Sequence, residues 1–241
     1  GVGADVRQGG GWHIDPDRRP TGRRTTRVVL HEPGIEILER LLAANRNAAV
    51  KLAPAAEMPD AWIGEAELEW IGRDRQCRQL VAWFGDLAEA PGMRRATILD
   101  NSGEVARTIV GVEQQQPPPT GRGGRFVFEP DAAVLAARLG GALAAERGLA
   151  RVAPGIAYWT GDVPIDDPAW ACFEVSEVLP LDVKRVREVL AARGIGRLEI
   201  KKRGVDCKPE ALRRQLKPKG ADSATLLVAR IGDRATAILA R

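Results

Sequence analysis

The segment Trp12-His13-Ile14-Asp15-Pro16-Asp17-Arg18-Arg19 combines residue types that chemistry can use. A short apolar run ends on an acidic residue, a proline follows, and two arginines trail it. In open α/β sheets, ligands bind outside the carboxyl ends of the strands. Proline fixes φ and removes a backbone donor. An Asp-Pro turn at the end of a buried strand therefore holds a carboxylate and the neighbouring carbonyls in one rigid arrangement, which can be aimed at an exocyclic amine. The plainer role of Asp15 is to cap the loop that follows. Arg18, Arg19, Arg23, Arg24 and Arg27 form a basic cluster beside this turn.

Two more basic runs stand near the other end of the chain. One is Lys201-Lys202-Arg203; the other is Arg213, Arg214, Lys217 and Lys219. Each alone reads as a solvated face. Clusters in separate parts of the chain, one of them beside a candidate catalytic turn, fit a surface that tracks phosphates. Trp159 and Trp170 could stack on bases, and buried packing is the simpler use of both.

Composition narrows the rest. The chain has 241 residues, of which 44% are hydrophobic and 28% charged, as expected of a folded soluble protein. No run approaches the roughly 18 apolar residues of a membrane-spanning helix. The first residues show neither a basic nor an apolar stretch, so no secretory signal is expected. Three cysteines, Cys77, Cys172 and Cys207, are odd in number and far apart, which predicts free thiols in a reducing cytoplasm. Neither the cysteines nor the two histidines have zinc spacing, so no metal is expected. A net charge of +4 permits an anionic partner without requiring one.

The candidate turn needs a sheet to hold it. Residues 12–14 read as a strand. Pro33 opens a helix with Ile35, Leu38, Leu41 and Leu42 on one face, and Ala48 to Ala53 reads as a buried strand stopped by Pro54. Two extended runs, 68–71 and 79–84, flank a polar turn and predict a hairpin that adds one antiparallel edge strand. Short strands follow at 96–99, 105–112 and 125–128, with a proline-rich loop before the last. One helix is then predicted from Asp131 onward, with Leu135, Leu139 and Leu143 at i+4 spacing and Gly140-Gly141 inside it. From residue 169 the pattern is strand, helix capped by Asp182, strand, helix opened by Pro209, and two strands around Gly232-Asp233.

Asp15-Pro16-Asp17-Arg18-Arg19, with the trailing Gly22-Arg23-Arg24, resembles motif IV of a bacterial family of class I S-adenosylmethionine-dependent methyltransferases with a C-terminal THUMP-like domain. Val50-Lys51-Leu52-Ala53-Pro54 resembles that family's fifth strand. Glu69-Trp70-Ile71 with Cys77-Arg78-Gln79 resembles its terminal hairpin. Phe128-Glu129-Pro130-Asp131 and Ala157 to Asp162 resemble its linking region, and Leu198 to Val205 its THUMP-like domain. The similarity runs along nearly the whole chain in the family's order.

The resemblance implies an α/β fold: the C-terminal half of a Rossmann-like methyltransferase sheet, with parallel strands and a terminal antiparallel hairpin, followed by a small THUMP-like α/β domain. Residues 1–92 would form the half-sheet, 93–168 a β-rich linking segment with one helix, and 169–241 the THUMP-like domain. It implies S-adenosylmethionine as cofactor and methyl transfer to a nucleobase of structured RNA. Asp15 would accept a hydrogen bond from the target amine, with Pro16 positioning it. Asp5 would contact the adenine. Arg18 and Arg19 would hold a phosphate or brace the turn through Asp17, and Lys201, Lys202 and Arg203 would contact RNA. In the family's strand order 3-2-1-4-5-7-6, Ala4-Asp5-Val6 aligns with the end of strand three. The glycine-rich cofactor loop of the class is therefore expected to lie outside the chain, leaving strand four as an edge. The alternative expectation is a non-catalytic RNA-binding or scaffolding module.

Overall fold

Residues 10–17, 32–113, 117–120 and 123–241 are described by the structure, a computed structural model. They divide into two compact units. The first holds the described residues up to 113 together with 131–143; the second holds 117–120, 123–130 and 144–241.

In the first unit, β1 (Trp12–Ile14) runs parallel to β2 (Ala48–Leu52), with Ile14 opposite Val50. Helix α1 (Ile35–Ala44) connects them and buries Leu38. It begins two residues after Pro33, with Gly34 at the N-cap. Strands β3 (Glu67–Arg73) and β4 (Gln76–Phe84) form the expected hairpin. Asp74 and Arg75 turn it with φ of 54° and 59°, the left-handed pair whose twist matches a tight hairpin. β5 (Arg94–Leu99) and β6 (Val105–Gly111) complete a six-stranded sheet of order β1-β2-β4-β3-β5-β6.

That order corrects one expectation. The antiparallel strand β4 is interior, between β2 and β3, and is no edge. The far side of β3 takes β5 in parallel register, so the sheet continues past the hairpin. Thr97 of β5 seals that join by donating to Glu69 Oε1 of β3 at 2.5 Å. Residues 93–168, expected as a linking segment, are thus shared: β5 and β6 belong to the first sheet, and later strands to the second.

The single helix expected after Asp131 is two, α2 (Ala132–Ala136) and α3 (Gly140–Glu146). Asp131 caps α2 as expected, accepting from the Ala133 N–H at 2.9 Å. The run ends because Arg138 adopts φ of 57°. The Leu139 N–H returns to the Val134 carbonyl at 3.0 Å and the Arg138 N–H to that of Leu135 at 3.1 Å. These two bonds close a Schellman-type helix end. Gly140-Gly141 therefore opens α3.

The second unit contains β7 (Phe126–Pro130), β8 (Ala150–Arg151), β9 (Trp159–Gly161), β10 (Trp170–Pro180), α4 (Val183–Ala192), β11 (Ile195–Arg203), α5 (Pro209–Leu216), β12 (Asp222–Ile231) and β13 (Arg234–Ala240). Its seven strands follow the order β11-β12-β13-β10-β7-β9-β8. The long β10 joins two halves, pairing with β7 through residues 170–174 and with β13 through 175–180. Val186 and Leu190 of α4 and Leu212 and Leu216 of α5 pack with Leu198, Ile200, Leu226 and Val228. A second core gathers Val127, Tyr158, Phe173, Leu227 and Ile238. The alternation of β12 between these two cores is the period-2 signature of a strand covered on both faces.

Candidate functional site

The Asp15-Pro16 turn stands at the carboxyl end of β1. Three local bonds fix that strand. The Trp12 indole N–H donates to the Asn45 carbonyl at 2.7 Å, the Trp12 backbone N–H to the Asn47 carbonyl at 2.9 Å, and the Asn45 amide to the Gly10 carbonyl at 2.6 Å. Among the described strands β1 pairs only with β2. Trp12 and Ile14 are half-buried and His13 is exposed. Pro16 is buried and Asp15 exposed. Past the turn, Asp17 and Glu32 exchange backbone hydrogen bonds of 2.8 and 3.0 Å. Arg18 and Arg19, like Asp5, lie outside the described residues.

The turn has a partner that the sequence did not flag. Lys51 Nζ lies 2.6 Å from Asp15 Oδ2. Lys51 is the one charged residue of β2, and the parallel register places it one step beyond the Ile14–Val50 pair. A lone lysine in an otherwise apolar strand was the available signal. The pair is half exposed, so it orients the carboxylate without removing it from solvent.

Lys201, Lys202 and Arg203 stand at the end of β11, in the other unit. Alternation along the strand puts Lys201 and Arg203 on one face and Lys202 on the other. Glu129, only 6% exposed, takes up both of the first pair, at 2.9 Å from Lys201 Nζ and 2.8 Å from Arg203 Nη2. The Arg203 guanidinium carbon lies 5.8 Å from the Tyr158 ring centre, and Lys201 Nζ lies 5.9 Å from that of Phe173. Burial, and then the charge of Glu129, push the Tyr158 phenol above the usual tyrosine range. Lys202 is exposed. Three stretches noted separately in the sequence, around Glu129, Tyr158 and Lys201, thus meet in one cluster. Trp159 and Trp170 are buried against each other, ring centres 5.6 Å apart and edge-on, and pack in the core.

Among the described residues, no group of three or more histidine, cysteine, aspartate or glutamate side chains is placed to hold a metal ion. No helix among them is long and apolar enough to cross a membrane.

Residues 171–241 match the family described as THUMP domain-like. Over 223 residues, 91% of its length, the chain is 37% identical to proteins of two Mycobacterium tuberculosis strains, each named as an uncharacterized S-adenosylmethionine-dependent methyltransferase. The chain is similar to S-adenosylmethionine-dependent methyltransferases, and its C-terminal part to THUMP-like domains. It spans 60% of the length of those relatives. A solved structure from Porphyromonas gingivalis W83, bearing a provisional methyltransferase name, superposes with a TM-score of 0.77 at 20% identity, covering 95% of this chain and 58% of that one. That likeness concerns the fold. The order 4-5-7-6 that the resemblance implies is matched by β1-β2-β4-β3, with β4 antiparallel to both neighbours.

Proposed function

We propose that the protein carrying this chain transfers a methyl group from S-adenosylmethionine to a nucleobase of structured RNA, in the cytoplasm. The observation that carries this reading is the Asp15-Pro16 turn, held by Lys51 at the carboxyl end of a sheet with the family's strand order. Asp15 accepts a hydrogen bond from the target amine and Pro16 fixes the turn. Lys51 holds the carboxylate in one direction. Orientation of this kind contributes most to an in-line transfer, which needs little acid or base chemistry.

The donor chemistry of the described residues fits the amine side of such a site. No glycine-bearing turn from a strand into a helix stands beside β1 among them, so they offer no cradle for the cofactor itself. We assign that part to residues outside those described, with Asp5 at the adenine. S-Adenosylmethionine, when bound, supplies the methyl group. Arg18 and Arg19 contact a phosphate beside the turn. Lys202, with Lys201 and Arg203 behind it, gives the THUMP-like domain a basic strand end.

A second reading is a non-catalytic RNA-binding or scaffolding module, which the basic residues of β11, Arg197 and Lys201 to Arg203, favour. Tritiated methyl incorporation into bulk bacterial RNA separates the two. Protein of the relatives' full length is expected to incorporate label, and Asp15→Ala to lose most of it while still binding S-adenosylmethionine by calorimetry. Unchanged incorporation in Asp15→Ala makes Asp15 a strand-end cap. RNA binding with no incorporation by the unsubstituted protein supports the second reading.

A further inference from the structure

Among the described strands β11 is an outer one, paired only with β12. Outer strands invite pairing by other chains, and charged side chains along them prevent it. β11 carries Arg197, Lys201, Lys202 and Arg203 against one acid, Glu199. At its far end Glu129 engages Lys201 and Arg203, and Glu199 lies 3.4 Å from Lys201.

The near end of the strand has no such explanation. There the starts of β11 and β12, with α5, border an open concavity of about 730 Å³ whose lining includes Arg197, Arg213, Arg241, Ser223, Thr225 and Glu199. Its one acidic side chain is Glu199, the one already beside Lys201. The Arg197 Nε–H donates to Ser223 Oγ at 2.8 Å, which fixes the guanidinium plane and leaves its two terminal nitrogens available. No carboxylate among the described residues pairs with Arg197 or Arg213. Edge protection requires charge on the strand; it does not require a hollow whose lining includes three arginines, a serine and a threonine.

We infer that this concavity holds a phosphate of the RNA backbone, an inference that rests on RNA being the substrate class proposed above. The guanidinium fork matches two phosphate oxygens at once, and serine and threonine hydroxyls are regular phosphate donors. A polymer fits better than an isolated phosphate because the positive charge continues outward. Arg214, Lys217 and Lys219 follow Arg213 along α5 and beyond it, all exposed.

The test is fluorescence anisotropy of a labelled RNA hairpin titrated with the chain at several salt concentrations. Each phosphate contact contributes roughly 0.7–0.9 to the slope of log affinity against log salt. The double substitution Arg197→Gln with Arg213→Gln is expected to lower that slope by roughly 1.4–1.8 and to weaken binding by about tenfold or more. Arg234→Gln removes one cation at the opposite end of β12, at the first residue of β13 opposite Ile231, and is expected to change the slope less. Circular dichroism confirms folding of each variant. If the unsubstituted chain binds the hairpin and the double variant keeps its affinity and slope, the concavity is not the phosphate site, although RNA remains the partner. If the unsubstituted chain binds no RNA at any salt concentration, the RNA reading fails and the concavity assignment fails with it.

Discussion

Asp15 Oδ2 and Lys51 Nζ lie 2.6 Å apart across the parallel pair β1 and β2. Their side chains keep 50% and 36% of their exposure, so the pair adds little to stability, of order 0–1 kcal/mol. Its value is directional. In protein of the relatives' full length, Lys51→Met is expected to leave the thermal midpoint nearly unchanged and to lower methyl transfer by about 10- to 100-fold, as a misplaced group costs in an oriented reaction. Asp15→Asn keeps an acceptor oxygen and should fall between Lys51→Met and Asp15→Ala. Measurement of kcat/KM beside melting curves checks the series. Full activity in Lys51→Met would reduce the pair to a surface salt bridge.

Glu129 is the converse case. It is nearly buried and neutralises two cations that keep about a third of their exposure or less. Removing the acid strands Lys201 and Arg203 beside the aromatic rings of Phe173 and Tyr158. Glu129→Ala is expected to cost about 2–3 kcal/mol, toward the low end for a broken buried pair because the cations still reach water. Urea unfolding gives the number. A double variant, Glu129→Gln with Arg203→Met, should recover part of the loss, because it removes one stranded charge.

What was legible in the sequence was local. The Asp182 and Asp131 caps, the Pro209 opening of α5 and the Gly232-Asp233 turn each declare themselves within four residues. The break at Arg138 did not, because an arginine stands where a glycine usually marks that helix end. The interior place of β4 and the continuation through β5 depend on pairings between segments far apart in the chain. The same holds for the candidate site. Asp15 was visible through its proline, whereas Lys51 became its partner only through the register of β1 on β2. Glu129 lies 74 residues from Arg203, and no spacing rule connects them.

Cys77 sits in β4, half-buried. Burial first, and the charge of Asp131 second, raise its thiol from an ordinary 9.0 to about 11. The folded chain therefore holds this proton at pH values where the unfolded chain loses it. The protonated native thiol costs nothing below pH 9; stability then falls as pH rises from about 9 to about 11. Iodoacetamide labelling of native protein, followed by mass spectrometry, should show Cys77 reacting slowly at pH 8. Its rate should climb about tenfold per pH unit up to about pH 11, because only the thiolate attacks. Asp131→Asn should shift the profile to lower pH. Rapid labelling at pH 8 with the protein folded would contradict this placement.

Gly196 tests whether the arginine concavity depends on the local shape of β11. The register of β11 on β12 shifts between Ile195 and Arg197, so Gly196 is the extra residue of a bulge. A Cβ there would fall well inside contact distance of the Gly220 carbonyl oxygen, which is backbone and cannot swing away as a side chain can. Gly220 is itself held close, since a Cβ on it would strike the Gly194 carbonyl. Gly194 cannot retreat without loss, because its carbonyl accepts the Asp222 N–H at 3.0 Å. Gly196→Ala is therefore expected to destabilise the chain by about 1–3 kcal/mol, in the range of overpacked sites. Because Arg197 follows directly and leans on Ser223, the same substitution should disturb the salt slope for RNA while all the charges remain. Thermal unfolding and the anisotropy titration on one sample separate the two effects. A stable Gly196→Ala chain with an unaltered slope would show that the bulge can open, and that the concavity does not need it.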